Sequence, residues 1–398
     1  MRIALLQPRF GPYHVARLEM LRRCWPRDRA EVIGLQVTDR DLYDWTPLKE
    51  VAGSLLTGAE GVVYEKLPGS ALRRIVHGLL ERTNPDVLVV NGWGYRDARA
   101  GIEWMGRRGK KVVLCCDSKA DDAPRHWAKE WVKRRIVGTA DAAFCSGTAS
   151  RAYLEQLGMA RSRIWDGVDC VDNGYFAAKA EACRMRPDEG PSELLGQGGV
   201  FLAVARFVAR KNIAGLVRGY SRYCSQVQDS PWALVVLGDG SQRTELESLA
   251  AENSRGRVHF PGFKQYAEIP SWYARASCFV HTALQDQWAL VVNEAMACGL
   301  PVLVSDRAGC ARDLVSDGRN GWRFNPEDIE ALAERMLAVH RLPAVERQEM
   351  GTQSRAIIAE WGEERFCRSL WSCVMAACDR AARKRGLRAS DRWLLRFL

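Results

Sequence analysis

The sequence predicts an α/β protein built from two consecutive doubly wound domains, and three observations support this fold class. The chain has 398 residues, more than one ordinary hydrophobic core accommodates. Short β-branched runs alternate with longer amphipathic patterns, as in stacked βαβ units. A polar stretch containing Pro and Gly interrupts this alternation near Ala177, after which the alternation starts again.

The interruption divides the chain into four predicted segments. Residues 1–178 form a first domain, residues 179–198 a linker, residues 199–362 a second domain, and residues 363–398 a helix with a basic tail. Doubly wound sheets bind ligands at the carboxyl ends of their strands, so two such domains predict a cleft at their junction.

Each predicted domain contains six candidate strands. Those of the first domain are Arg2–Leu6, Glu31–Val37, Val87–Asn91, Lys111–Cys116, Ala142–Cys145 and Arg163–Trp165. Those of the second domain are Val200–Ala205, Trp232–Gly238, Val258–Phe260, Cys278–His281, Pro301–Ser305 and Gly321–Phe324. Amphipathic helical patterns separate most of them, which favours parallel sheets.

The composition argues against metal sites and membrane spans. The thirteen Cys form no Cys-x-x-Cys, and several lie in apolar strands, where they behave as small hydrophobic residues in a reducing compartment. The six His are scattered, so no metal site is predicted. No run of 18 apolar residues and no signal-peptide pattern occurs, so we expect a cytoplasmic protein.

The net charge of +10 is concentrated at one end of the chain. The last nineteen residues, Arg380–Leu398, carry seven Arg or Lys and one Asp, which is +6. A nucleic-acid-binding domain needs a basic face on its body, so we expect no nucleic-acid partner. Basic and aromatic residues in Arg388–Leu398 favour an anionic membrane surface as partner, on its cytoplasmic face; a terminus packed on the body explains them equally well.

The segment QDQWALVVNEAMACG carries the strongest functional signal. A helix is predicted to begin near Leu290, and its free N–H groups and positive dipole end suit a diphosphate. Asp286 precedes this helix and is a candidate to accept from sugar hydroxyls, while Glu294, one turn into it, is a candidate for a ribose diol. The alternatives are that Asp286 only interacts with the helix dipole and that Glu294 is a solvated helix residue.

A second signal is the pair of cations that follows the strand starting at Val200. Arg206 and Lys211 lie in the turn before the next helix, at the carboxyl end of that strand. Two cations there suit the two phosphates of a nucleoside diphosphate. The alternative is a pair of ordinary surface cations, as neighbouring Arg210 is expected to be.

From about Phe201 to Glu334 the sequence resembles the retaining glycosyltransferases of family 4. The glutamate-x7-glutamate motif of that family falls on Asp286 and Glu294, so the first position is shortened to Asp. Ala289 stands where the family has Gly, and Cys310 replaces the second Gly of a pair. Gly262 and Lys264 lie where the family packs its nucleobase.

The resemblance implies a GT-B architecture of two Rossmann-like domains facing a cleft, with a C-terminal helix that crosses back to the first. It implies transfer from a nucleotide-diphosphate sugar with retention of configuration, no metal and no cofactor. Arg206 and Lys211 would hold the diphosphate, Glu294 the ribose and Asp286 the sugar. The segment Ala289, Leu290 and Val291 would complete the donor site.

The first domain is similar to the same family, less sharply, and is expected to bind the acceptor. Gly11 lies in the first βα loop, where it permits close backbone approach. His14 is a candidate acceptor or phosphate contact, or simply a residue at a helix start. Asp117, after the strand Lys111–Cys116, is a candidate acceptor contact or a helix N-cap.

Three alternatives compete with this interpretation. Asp39 and Asp41 form an Asp-x-Asp tripeptide, the metal signature of another glycosyltransferase architecture, but that architecture does not predict the second βα series. Two-domain ligand-binding proteins also hinge βα domains around a cleft, but they are exported. A degenerate glycosyltransferase that binds its donor without transfer would be consistent with Asp286 and Ala289.

Overall fold

The structure, a computed structural model, describes residues 1–26, 28–41, 55–186, 191, 198–227, 230–253, 257–380 and 387–397. The chain divides into two compact units. The first unit comprises Met1–Cys170 and Glu363–Leu398, and the second comprises Val171–Gly362.

The boundary between the units falls earlier than the sequence predicts. The helix Asn173–Arg184 belongs to the second unit, so the first residues of the predicted linker 179–198 are helical. The Asp172 carboxylate caps this helix by accepting from the Tyr175 N–H at 2.8 Å, and the helix buries Phe176 and Ala180. Residues 187–190 and 192–197 of the predicted linker lie outside the described residues.

The first unit contains a seven-stranded parallel sheet with the order β3-β2-β1-β4-β5-β6-β7. Its strands are β1 Arg2–Gln7, β2 Glu31–Arg40, β3 Leu55–Val63, β4 Val87–Asn91, β5 Lys111–Cys116, β6 Ala142–Cys145 and β7 Ile164–Asp166. Strand β3 is missing from the prediction. It contains Gly58 and Gly61, which weaken the strand pattern, and it lies at the sheet edge, where its side chains are not fully buried.

The second unit contains a six-stranded parallel sheet with the order β10-β9-β8-β11-β12-β13. Its strands are β8 Val200–Val204, β9 Ala233–Leu237, β10 Val258–Gly262, β11 Cys278–His281, β12 Val302–Ser305 and β13 Gly321–Phe324. All six correspond to predicted strands. The order reverses direction between β8 and β11, which makes their carboxyl ends a topological switch point.

The described helices alternate with the strands. In the first unit they are α1 Pro12–Cys24, α2 Gly69–Thr83, α3 Arg96–Arg107, α4 Trp127–Val137 and α5 Thr148–Gln156. In the second unit they are α6 Asn173–Arg184, α7 Ile213–Gln226, α8 Arg243–Asn253, α9 Ile269–Arg275, α10 Leu290–Ala297, α11 Ala311–Leu314, α12 Ile329–Arg341 and α13 Ala344–Ala359. The chain then returns to the first unit with α14 Glu363–Asp379 and α15 Ala389–Phe397.

Both faces of the first sheet are covered, because successive side chains of a strand point to opposite faces. Along β1, Ala4 and Leu6 belong to one buried cluster, whereas Ile3 and Leu5 belong to the other. The second cluster is completed by α14, which contributes side chains such as Phe366, Leu370 and Val374. The last helices are therefore part of the core of the first unit.

The C-terminal helix α15 is held to the first unit by leucines and by one buried carboxylate. Leu394 and Leu395 are buried, so the packed-terminus alternative is correct for these residues. Glu103 of α3 has no exposed surface and pairs with Arg396 at 2.7 Å and Arg107 at 2.8 Å. Burial raises the pKa of Glu103, but the surrounding arginines outweigh that effect and hold it below its usual value.

Within the described residues we find no helix whose length and apolar content would let it traverse a lipid bilayer.

Candidate functional site

The candidate site lies at the carboxyl ends of β8 and β11 in the second unit. Lys211, in the turn after β8, donates through Nζ to Oδ2 of Asp286, in the loop after β11. The two residues are 75 positions apart in sequence, and the adjacency of their strands brings them together. The structure thus joins one of the two predicted cations to the first carboxylate of the predicted pair.

Hydrogen bonds fasten the two loops to each other. The Thr282 hydroxyl donates to the carbonyls of Lys211 and Asn212, both at 3.2 Å. The Leu284 N–H donates to the Arg210 carbonyl at 2.9 Å. These contacts fix the backbone on both sides of the ion pair, so the position of Lys211 does not depend on its side chain alone.

Asp286 is a buried carboxylate with two cationic or polar neighbours. His281, the last residue of β11, places Nε2 at 3.0 Å from Oδ2 of Asp286, although the contact is poorly aligned as a hydrogen bond. Burial raises the pKa of Asp286, but His281 and Lys211 together outweigh it and hold that pKa well below its usual range. Asp286 is therefore ionised at neutral pH.

The Asp286 loop is also held from its other side, by the segment after β12. Asp286 forms a parallel bridge with Ala308, and the Gly309 N–H donates to the Asp286 carbonyl at 3.1 Å. A Cβ atom at Gly309 would lie 1.7 Å from the Gln287 carbonyl oxygen, so only glycine permits this approach. The next position, Cys310, is buried and needs no glycine, because its φ is −76°.

Helix α10 begins at Leu290, as predicted, and no side chain caps its N-terminus. Its N-cap residue, Ala289, has φ +86° and ψ 72°, a left-handed conformation that residues other than glycine rarely adopt. The first N–H groups of an α-helix have no partner within the helix, so this end is suited to an anion.

Replacing Ala289 with glycine should stabilise the second unit. Relief of the left-handed strain is worth about 1–2 kcal/mol and the entropic cost of glycine is about 0.5–1 kcal/mol, so the net gain is about 0–1.5 kcal/mol. Urea unfolding measures the change. The matched control is Ala356→Gly in α13, an exposed helical position where glycine should cost about 1 kcal/mol. Destabilisation by both variants would contradict the strain at Ala289.

Glu294 lies in α10 and has no exposed surface. Its Oε2 accepts a hydrogen bond of 2.8 Å from the Tyr273 hydroxyl on α9. The alternative that Glu294 is a solvated helix residue is therefore wrong. The carboxylate is held in one orientation inside the second unit, in the helical turn that follows Leu290 and Val291.

Arg206 follows β8 and is exposed. Its turn packs against the turn after β9, where the Phe207 N–H donates to the Asp239 carbonyl at 2.8 Å. Gly238 has φ +134°, and a Cβ there would lie 1.8 Å from the Ala205 carbonyl oxygen. A glycine is thus required for the two turns to meet, and this contact positions the backbone of Arg206.

Gly262 and Lys264, the predicted nucleobase positions, lie at the end of the edge strand β10. Gly262 has φ +87°, and its carbonyl accepts from the Gly238 N–H at 3.0 Å. The Lys264 ammonium lies 5.2 Å from the centre of the Trp272 ring, a cation–π contact. Phe263, between them, is an exposed aromatic residue.

In the first unit, Gly11 and His14 form the start of α1. The Gly11 N–H donates to Nδ1 of His14 at 3.3 Å, so the neutral ring carries its proton on Nε2. Burial and, to a smaller extent, the charge of Arg17 lower the pKa of His14 to about 3. His14 therefore contributes no positive charge at neutral pH. Gly11 has φ −84° and room for a Cβ, so its backbone conformation does not require glycine.

Asp117 follows β5 and is exposed. The N-cap alternative is wrong, because the next helix, α4, begins only at Trp127 and is capped by His126. The Asp-x-Asp tripeptide is engaged in local structure. Asp39 accepts from the Gly61 N–H at 2.8 Å, and Asp41 pairs with Arg9 at 2.7 Å.

Sequence reasoning missed two residues that contact the site. His281 ends a buried strand next to the Asp286 loop, and a polar residue at a strand end is the signal that could have identified it. Tyr273 bonds Glu294 from another helix, and nothing in the sequence links these two positions. Over the described ranges, no group of three or more His, Cys, Asp or Glu side chains is arranged to hold a metal ion.

Comparison with known families and proteins extends this description. Residues 188–356 match the family model described as Glycosyl transferases group 1. A GDP-mannose-dependent alpha-mannosyltransferase of Mycobacterium tuberculosis is 28% identical over 211 residues, which cover 53% of this chain and 48% of that protein. A second enzyme of that name, from Mycolicibacterium smegmatis, is 34% identical over 122 residues, or 31% of this chain and 30% of that protein. The chain thus spans less than half the length of these relatives.

Two solved structures have the same fold as nearly the whole chain. Anabaena HepE in complex with UDP has a TM-score of 0.72 at 17% identity, covering 94% of this chain and 100% of that one. Sucrose-phosphate synthase from Thermosynechococcus elongatus has a TM-score of 0.71 at 20% identity, covering 94% and 98%. With the two parallel sheets, these matches confirm the predicted GT-B class of two Rossmann-like domains and a returning C-terminal helix.

Proposed function

We propose that the chain transfers a sugar from a nucleotide-diphosphate sugar to an acceptor hydroxyl, because residues 188–356 match the model of the glycosyl transferases group 1 family. One observation carries this proposal: the Lys211–Asp286 pair and the uncapped start of α10 lie together at the carboxyl ends of the second sheet. Cation, carboxylate and helix N-terminus are the groups that a sugar diphosphate requires.

The nature of the donor is supported by the related proteins. The mycobacterial relatives are named as dependent on GDP-mannose, and the Anabaena protein binds UDP. We therefore propose GDP, UDP, GDP-mannose and UDP-glucose as the ligands to test in thermal-shift measurements. Specific binding raises the melting temperature of the protein, and hydrolysis of the donor without acceptor separates an enzyme from a protein that only binds.

In the proposed reaction, the acceptor hydroxyl oxygen bonds to the anomeric carbon on the face from which the diphosphate departs. The bond from that carbon to the diphosphate oxygen breaks, and the leaving diphosphate takes the hydroxyl proton. Because the new oxygen enters on the face that the diphosphate leaves, the anomeric configuration is retained. Arg206, Lys211 and the N–H groups near Leu290 and Val291 stabilise the charge that develops on the diphosphate. No metal ion or cofactor is needed for this charge balance.

The remaining assignments follow the same proposal. Asp286 accepts from the hydroxyls of the donor sugar, Gly262 and Lys264 adjoin the nucleobase, and Glu294 accepts from the ribose. Because Glu294 is buried and bonded to Tyr273, ribose binding requires local opening around it. The acceptor binds the first unit near Gly11, His14 and Asp117.

Replacing Glu294 with glutamine should weaken donor binding. Loss of a hydrogen bond to a charged group costs about 1.5–3 kcal/mol, which raises the Kd of the nucleoside diphosphate about 10- to 150-fold. Isothermal titration with GDP and UDP measures this change. Tyr273→Phe is the matched control, because it removes the hydrogen bond to Glu294 and keeps the carboxylate. Unchanged affinity in a folded Glu294→Gln protein would show that Glu294 serves only to bind Tyr273.

We also propose that the protein is cytoplasmic and peripheral on the inner face of the membrane. The excess charge of residues 380–398 supports this location. Leu394 and Leu395 do not serve as the anchor, because both are buried in the first unit. The contact with lipid must therefore involve residues that are exposed.

A further inference from the structure

Among the described residues of the first unit, three tryptophans on two neighbouring helices are exposed. Trp127 and Trp131 of α4 are 80% and 50% exposed, and Trp393 of α15 is 59% exposed. Tryptophan side chains are large and mostly apolar, so such exposure needs a reason. None of the three belongs to the candidate site, which lies in the second unit.

The two helices are joined to each other by Arg135. Its guanidinium donates to Asp391 of α15 at 2.9 Å and to Ser390 at 2.8 Å. The same guanidinium lies 5.5 Å from the centre of the Trp131 ring. Trp131 is thus fixed next to the start of α15, and α4 and α15 form one surface, which we call the tryptophan face.

Helical geometry explains why these residues remain outside. Trp127, Trp131 and Arg134 follow one another at spacings of four and three, which puts them on one side of α4. Ile136 and Val137 are the buried residues of that helix. On α15, Leu394 and Leu395 face the core, whereas Arg392 and Trp393 are exposed.

The exposed charges of the tryptophan face are positive. Arg134 and Arg392 are exposed, and Arg388, which is also exposed, pairs with Asp391 at 3.3 Å. The acidic residues of this face are already paired. Glu130 pairs with Lys133 at 2.8 Å, and Asp391 is buried against Arg135. Interfacial tryptophans combined with exposed cations match the boundary region of a bilayer that contains anionic lipid.

We propose that the tryptophan face binds an anionic lipid bilayer, with Trp127 and Trp131 inserted at the level of the headgroups. This proposal names the surface that holds the protein at the membrane. It rests on the proposed location and not on the transfer reaction. The cations alone would attract this surface to an anionic bilayer at low salt. The tryptophans add apolar burial, which salt does not screen.

The test is co-flotation of the whole chain with vesicles of phosphatidylglycerol and phosphatidylcholine, compared with phosphatidylcholine alone. We expect binding to the mixed vesicles only, and a partition coefficient reduced about tenfold or more by Trp127→Ser with Trp131→Ser. Val345→Ser is the matched control, since it removes an exposed apolar residue of α13 in the second unit and should have no effect.

Two further measurements separate the outcomes. The melting temperature and the rate of donor hydrolysis without vesicles should be equal in the double variant and the unsubstituted protein, which makes a membrane defect distinct from a failure of catalysis. Binding of the double variant at full strength would overturn the proposal. The proposal would also be overturned if the unsubstituted protein sediments as a dimer and does not bind anionic vesicles, while the double variant sediments as a monomer. The tryptophan face would then bind a second copy of the protein.

Discussion

Replacing either Lys211 or Arg206 with alanine should lower kcat/KM about a hundredfold or more. In the proposed reaction, the diphosphate carries its charge out of bulk water into the site, so positive groups must meet it there. Loss of one preorganised stabiliser in such a site has an effect of this size. Steady-state turnover of the donor identified by thermal shift measures it. Arg210→Ala is the matched control, because Arg210 contributes its backbone carbonyl to the loop contacts and its side chain is expected to be an ordinary surface cation.

The same charge balance predicts that activity survives excess EDTA. In the proposed reaction, two cations and the α10 N-terminus take the place of the metal ion of the Asp-x-Asp architecture. Loss of activity in EDTA with rescue by Mn²⁺, together with active alanine variants, would refute the assignment. Asp39 and Asp41 would then become candidates, although both are engaged with Gly61 and Arg9 in the structure.

Replacing Asp286 with asparagine should have a comparable effect on activity and a large effect on stability. The substitution removes the counter-charge of Lys211 in a buried position, which typically costs about 3 kcal/mol or more. The sugar contact is lost with the charge, so kcat/KM should also fall about a hundredfold. Asp286→Glu, which keeps the charge and restores the longer side chain typical of the family, should retain more of both.

The sign of the pH dependence follows from the direction of the Asp286 pKa. A carboxylate whose pKa is lowered on folding stabilises the protein fully above the ordinary aspartate pKa of about 3.9, and loses this contribution as the pH falls through the folded value. Between about pH 5 and 8 the stability difference between Asp286→Asn and the unsubstituted protein should therefore be constant. A difference that varies over this range in urea titrations would show that Asp286, or a group in contact with it such as His281, titrates there.

Most strands could be predicted because their side-chain pattern is local. The six strands of the second unit follow from short apolar runs bounded by turns, as in Cys278–His281. Strand β3 could not be predicted in this way, because a half-exposed edge strand with glycines carries little pattern. The helix Asn173–Arg184 could not be predicted for a related reason: only Phe176 and Ala180 are buried, so its sequence carries little amphipathic pattern.

The candidate site also combines features that could be predicted from the sequence with features that could not. The sequence shows that Lys211 and Asp286 follow the strands β8 and β11. Their location at the carboxyl ends of these strands could therefore be predicted. That they form an ion pair depends on the adjacency of these strands in the sheet. The participation of His281 and the burial of Glu294 against Tyr273 depend on that packing too.

The sequence by itself determined the two βα series, the strand ends that carry Arg206, Lys211 and Asp286, and the start of α10. These features are encoded by periodicity and spacing over a few residues, which each segment carries alone. Only the tertiary structure decided that Leu394 and Leu395 are core residues while Trp127, Trp131 and Trp393 are exposed. An apolar side chain becomes core or surface according to what packs against it, and that partner lies far away in the chain.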